Sequence, residues 1–199
     1  IFIIILTVGI SYYAFGNPKV MNDYLFLVHR INNQKEYFRF ISSGFIHADF
    51  NHLLFNMITL FSFGSYVEAY FDAIFPSNSK VIFVLFYMSA MVVSQIPSYF
   101  KNKNNYQYAS LGASGAISAV LYASILFDPW SKIYFFMIIP IPAVVFGALY
   151  LALSYYMHKN KIFNWEHLVH ITGAIYGFLF PALFYPELLL NFINQIIPN

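Results

Sequence analysis

Six long apolar runs, separated by short polar breaks, organise the chain. They cover Ile1 to about Phe15, Phe50 to about Phe71, Lys80 to about Tyr99, Ser110 to Phe127, Ile133 to Met157 and Trp165 to about Tyr185. The breaks are rich in turn formers: Gly16-Asn17-Pro18, Asp72 to Ser79, Lys101 to Gln107, Asp128-Pro129 and His158 to Asn164. Runs of roughly 18 to 25 residues predict helices that each cross a bilayer, because a barrel strand needs only about 10 residues and alternates apolar with polar. The first run is short for a crossing at 1.5 Å per residue, and no basic region or cleavage pattern of a signal peptide precedes it. An upstream portion is therefore expected to be missing from this single transmembrane domain.

The connection between the first two runs is different in kind. Residues 17–49 are too many for a simple turn and too apolar for a disordered linker. Val20, Tyr24, Leu27, Val28 and Ile31 recur at helical spacing against Asn22, Asp23, Arg30 and Asn33, which predicts a large, partly helical loop lying in the membrane interface.

Composition changes the picture by excluding a soluble fold: 60% of the 199 residues are hydrophobic, 22% aromatic and only 9% charged. Every backbone polar group in the runs must then be satisfied within its own helix. A formal charge of +2 with scattered Lys and Arg gives no basic patch for nucleic acid. The chain has no cysteine, so disulfides, thiolate metal sites and a thiol nucleophile are excluded.

A charged residue inside a bilayer costs about 2.5–3.5 kcal/mol on insertion scales, so each polar side chain in the runs needs a partner or a function. The candidates are His47, His52 and Asn56, Glu68 and Asp72, Ser114 and Ser118, and His167 and His170. His52 and Asn56 are four apart and share one helical face. Glu68 lies about 18 Å further along that helix, on the other membrane side, so with Asp72 it reads as a hydrogen-bonded or interfacial group. His170, Gly173 and Gly177 form one stripe of the last run, a small-residue face that can approach another backbone closely. Gly115 and Ala119 offer the complementary face beside Ser114 and Ser118; packing the two would carry His170 to Ser114, the minimum for an activated oxygen nucleophile. Taken singly, Gly112-Ala113-Ser114-Gly115 reads more readily as a packing notch than as chemistry, and a single membrane histidine as a partner of a carbonyl. The pairs His47/His52 and His167/His170 could bind a metal or haem, although only Asp49 and Glu166, both at segment edges, sit beside them as carboxylates.

Together these residues resemble the rhomboid intramembrane serine proteases across nearly the whole chain. His47-x4-His52-x3-Asn56 is similar to the family's second-helix motif, Gly112-Ala113-Ser114-Gly115 to its nucleophile motif, and His170-x2-Gly173-x3-Gly177 to its sixth-helix motif. Phe38-Arg39 occupies the place where the family commonly has Trp-Arg. The resemblance implies an all-α, six-transmembrane-helix bundle that cleaves transmembrane protein substrates in the lipid bilayer, without cofactor or metal and without nucleic acid. It implies Ser114 as nucleophile and His170 as base, with His52, Asn56 and the Ser114 N–H as the oxyanion hole. His47, Arg39, Gly112, Gly115, Gly173 and Gly177 would be structural supports, and His167 has no counterpart in the family.

Four residues after the nucleophile the family often has a Tyr that packs on the catalytic histidine; here Ser118 stands there, so support is expected from Tyr176 or Tyr122. Pro140 and Pro142 are expected to break the fifth helix and make it the mobile side through which substrate enters, with residues 158–164 capping the site. Lys and Arg number eight in the loops after runs one, three and five (Lys19, Arg30, Lys35, Arg39, Lys101, Lys103, Lys159, Lys161) against two, Lys80 and Lys132, in the others. Charge alone would put the first set in the cytoplasm, whereas the resemblance puts that side, with the active site, outward. The Asn/Ile/Phe/Tyr-rich composition points to a bacterial plasma membrane. Two other readings are a rhomboid-like protein that binds membrane clients without cutting them and a His-liganded metal or haem protein.

Overall fold

A computed structural model describes residues 1–135, 138–160 and 167–197. Each of the six apolar runs contains a helix: α1 (Phe2–Phe15), α5 (Phe50–Ile74), α6 (Ser79–Lys101), α7 (Ser114–Phe127), α8 (Ala143–Lys159) and α9 (His167–Phe184). The first loop holds α2 (Pro18–Tyr24), β1 (Phe26–Leu27), α3 (Val28–Gln34) and α4 (Arg39–Ser42), and α10 (Glu187–Ile196) follows the last long helix. Trp165 and Glu166, where the sixth run was expected to open, lie outside the described residues, as do residues 161–164 of the expected cap.

α6 and α9 are long and apolar enough to cross a membrane, with mean hydropathies of 1.8 and 1.4. α5 is 25 residues long but carries Glu68 and Asp72. α1 and α7 are apolar but only 14 residues each. The surface carries exposed apolar side chains along several of these helices, including Phe55, Phe61, Leu85, Leu149, Leu153 and Leu183. Water would penalise such a surface, and lipid would not.

α7 is the axis of the molecule, since every residue from Gly115 to Phe127 is buried. Buried on every side, it leaves no face to lipid or water, because α5, α6 and α9 surround it. At the end remote from Ser114, Phe127 stacks on Tyr70 with ring centroids 4.5 Å apart, and Phe71 meets Phe83 and Phe86 edge-on. Near this end Asp72 accepts a hydrogen bond from Ser79 across the α5–α6 turn, in keeping with its interfacial reading.

The fifth run is not one proline-broken helix. Its first part, β3 (Lys132–Phe135), pairs antiparallel with β4 (Ile139–Pro142), and α8 begins only after both prolines. Proline lacks the N–H a helix interior needs and pushes the preceding residue to extended backbone, so Ile139-Pro140-Ile141-Pro142 forms an edge strand. The first N–H groups of α8 are satisfied instead by loop carbonyls, Ala143 donating to Ser131 and Val144 to Pro129, each at 2.8 Å.

The first loop is partly helical, as expected, but Leu27, Val28 and Ile31 of its predicted apolar face are buried, whereas Tyr24 is exposed. Phe26, Val28 and Ile31 are buried in a cluster with Phe40, Tyr99 and Tyr108, and Leu27 lies in a strand. β1 pairs antiparallel with β2 (Ala109–Ser110), Phe26 opposite Ser110, which ties the loop to the segment leading into α7.

Candidate active site

The approach to Ser114 is held from both flanks. After β2, the Gly112 N–H donates to the Ser43 carbonyl at 2.8 Å, and the Ala113 N–H points to Nε2 of His47 at 3.5 Å. Gly112 has φ +105°, a left-handed conformation that favours glycine, and a Cβ there would lie 2.6 Å from Cε1 of His52. Ser114 is the first residue of α7, where the initial N–H groups have no intrahelical acceptor and the dipole end is positive.

α9 brings the second group. Gly173 lies against the Gly115 carbonyl and Gly177 against that of Ala119, so the two small-residue faces meet backbone to backbone as their spacing predicts. This close approach places His170 Nε2 2.9 Å from Ser114 Oγ. With Ser114 as donor, the imidazole carries its proton on Nδ1.

His52 and Asn56 stand one turn apart near the start of α5. The Asp49 carboxylate caps that helix by accepting from the His52 N–H at 2.8 Å. Asn56 is buried and donates one amide N–H to the His52 carbonyl at 2.9 Å, leaving its second. The His52 ring covers Gly112 and meets His47 edge-on, with centroids 5.0 Å apart.

His47 is fully buried and fixed at both nitrogens. The Ser11 hydroxyl donates to the Phe45 carbonyl at 2.8 Å, so its oxygen accepts from His47 Nδ1 at 2.9 Å, leaving Nε2 to accept from Ala113. The bond that Nε2 accepts requires neutral imidazole. Burial, followed by the neighbouring His52, pushes its pKa down to about 3 against the opposing pull of Asp49. A histidine so engaged is a scaffold and has no nitrogen left for a metal. Of the carboxylates considered beside the histidine pairs, Glu166 lies outside the described residues.

Arg39, buried at 1% exposure, binds Glu36 at 2.5 Å and the carbonyls of Leu25 and Asn22 at 2.7 and 3.3 Å, closing the first loop on itself. Gln95 of α6 donates to the Phe40 carbonyl and the Ser43 hydroxyl, linking that loop to the residue that holds Gly112. Ser11, Ser43 and Gln95 were not among the sequence candidates. Gln95 could have been found as an amide inside an apolar run, whereas Ser11 and Ser43 look like ordinary small residues.

Ser118 donates to or accepts from the Tyr150 hydroxyl of α8 at 2.8 Å, and the Tyr150 ring lies 6.1 Å from that of His170, tilted by 34°. Among the described residues, the tyrosine beside His170 is thus on α8. The two expected supports are engaged elsewhere: Tyr176 bonds Ser89 at 2.6 Å and stacks on Phe86, and Tyr122 donates to the Gly147 carbonyl at 2.5 Å. His167 is buried, its ring 6.1 Å from that of His170.

A family model described as the rhomboid domain matches residues 34–187, which contain all of these motifs. The chain belongs to the rhomboid family. Its curated relatives include RHOMBOID-like protein 12, mitochondrial, of Arabidopsis thaliana, 23% identical over 84% of this chain and 52% of the relative. Rhomboid protein 1, mitochondrial, of Saccharomyces cerevisiae is 29% identical over 86% of this chain and 50% of the relative. Presenilin-associated rhomboid-like protein A, mitochondrial, of Danio rerio is 29% identical over 69% and 35%. This rhomboid chain therefore spans about half the length of the first two. All three are named as mitochondrial, so they lend no support to the bacterial plasma membrane expected from composition. It is an integral membrane rhomboid.

Proposed function

We propose that the chain is an intramembrane serine endopeptidase, hydrolysing peptide bonds in or near transmembrane segments of membrane-protein substrates through a Ser114–His170 dyad. The observation that carries this reading is the 2.9 Å contact between His170 Nε2 and Ser114 Oγ at the amino end of a buried helix. As Ser114 Oγ bonds to the scissile carbonyl carbon, Nε2 takes the hydroxyl proton and then delivers it to the departing amine as the C–N bond breaks. Water attacks the resulting ester, His170 takes its proton, and Ser114 is released with that proton returned to Oγ. The developing oxyanion would accept from the Ser114 N–H, the free Asn56 amide hydrogen and His52.

The water this chemistry consumes would reach Ser114 from one end of a six-crossing bundle. α7 is about 21 Å long against a hydrocarbon thickness of about 30 Å, so its first residue would sit below the lipid surface under the polar Lys101 to Gln107 loop. That end would face the extracytoplasmic side.

The test is labelling by a fluorophosphonate probe in detergent and in liposomes. Labelling is expected for the unsubstituted chain and not for Ser114→Ala or His170→Ala. Labelling that persists in Ser114→Ala would overturn the nucleophile.

A further inference from the structure

We propose that Tyr150 is the positioning residue that holds the His170 imidazole in line with Ser114, in the place that Ser118 leaves empty. The proposal rests on the dyad reading above and assigns a role to a residue on a helix that contributes none of the reacting groups.

Ser114 and Ser118 are one turn apart on the same face of α7. His170 meets the first and the Tyr150 hydroxyl meets the second, at 2.9 and 2.8 Å. The phenol is therefore tethered at its far end by Ser118 and at its Cβ by α8. Between these anchors the ring is flanked by Phe146, nearly parallel at 6.5 Å, and Tyr122 at 6.3 Å. A ring restrained at both ends is a fixed wall, and the imidazole lies beside it.

The wall depends on how α8 is docked. Only Ala143, Gly147 and Ser154 of that helix are buried, and at Gly147 it packs against Ile125 and Tyr122 of α7. A Cβ at Gly147 would lie 2.7 Å from Ile125, and the Gly147 carbonyl is the acceptor for Tyr122. Gly147 is one turn before Tyr150, so this contact sets the height of the phenol against His170. A departure of α8 from α7 would take away the wall while leaving Ser114 and His170 on their own helices.

Misplacing a catalytic group by about 1 Å can cost roughly 100-fold in rate, which sets the scale of the expected effect. The measurement is fluorophosphonate inactivation of the full chain in detergent, resolved into the maximal inactivation rate and the half-saturating probe concentration, with the thermal midpoint recorded for every variant. Tyr150→Ala is expected to slow the maximal rate roughly 10- to 100-fold with half-saturation little changed. Tyr150→Phe, which keeps the ring but loses its tether to Ser118, should fall between Tyr150→Ala and the unsubstituted chain. Ser118→Tyr combined with Tyr150→Ala, which returns an aromatic to α7, should recover most of the loss, an effect mere core filling by Tyr150 would not produce.

A Tyr150→Ala rate equal to that of the unsubstituted chain, or a double variant as slow as Tyr150→Ala, would overturn the proposal. If Tyr150→Ala does not fold, Tyr150→Leu keeps bulk without a flat ring, and a normal rate in it would overturn the proposal equally. Absence of labelling in the unsubstituted chain would instead strike the dyad reading.

Discussion

Gly173 of α9 lies directly against the backbone carbonyl of Gly115 in α7, and one turn on Gly177 lies against that of Ala119. The obstacle to a side chain at either position is backbone, which cannot rotate aside. These two contacts set the distance between the helices, and they hold His170, one turn before Gly173, against Ser114, the residue before Gly115.

Gly177→Ala should therefore separate α9 from α7. Overpacking of this kind costs typically about 1–3 kcal/mol, and a lower thermal midpoint together with slower fluorophosphonate labelling is expected. A variant with both quantities unchanged would show that the helices do not approach this closely.

Asn56→Ala removes an amide that the proposed mechanism uses for the oxyanion. Loss of one such donor lowers turnover by about 100- to 1,000-fold, and since Asn56 otherwise bonds only the His52 carbonyl of its own helix, the thermal midpoint should move little. Kinetics of cleavage of a single-span membrane substrate would check this, and an unchanged turnover number would remove Asn56 from the oxyanion hole.

His47 gives the fold a pH dependence. Its pKa is about 3 in the folded protein against an ordinary value of 6.5, so the unfolded chain binds the proton that the native state excludes. Its contribution to stability is complete above about pH 6.5 and is lost as pH falls towards 3. The thermal midpoint should fall between pH 7.5 and 5 in the unsubstituted chain and fall less in His47→Gln, which is destabilised throughout. Parallel curves would mean that His47 is not the group responsible.

Orientation can be read directly, because the chain has no cysteine of its own. In bacterial cells made to express the chain in their plasma membrane, Asn104→Cys, in the loop before α7, should react with an impermeant maleimide from outside, and Ser77→Cys, in the α5–α6 turn, only after permeabilisation. The reverse pattern would favour the Lys and Arg distribution, which weights the Ser114 side.

Much of this was legible locally. Apolar runs mark the helices because a buried or lipid-facing helix must be apolar along its length, and the stripe Gly173/Gly177 declared a close backbone contact because only small residues permit one. Ser114, His170 and the polar residues at the start of α5 were equally visible as candidates, each being a polar group costly to leave in an apolar run. The prolines of the fifth run misled, since Pro140 and Pro142 are compatible with a kinked helix until the partner strand β3 is known.

What the chain order could not reveal were contacts between groups distant in sequence. The sequence by itself determined that Ser118 cannot brace His170, because a hydroxymethyl group has no ring. Only the tertiary structure decided what lies there instead: Tyr150, thirty-two residues on, reaches Ser118 because Gly147 lets α8 approach α7. In the same way Ser11, thirty-six residues before His47, settles which nitrogen of that imidazole carries the proton. Such choices depend on which side chains the packed helices bring within 3 Å, and local pattern carries no record of that distance.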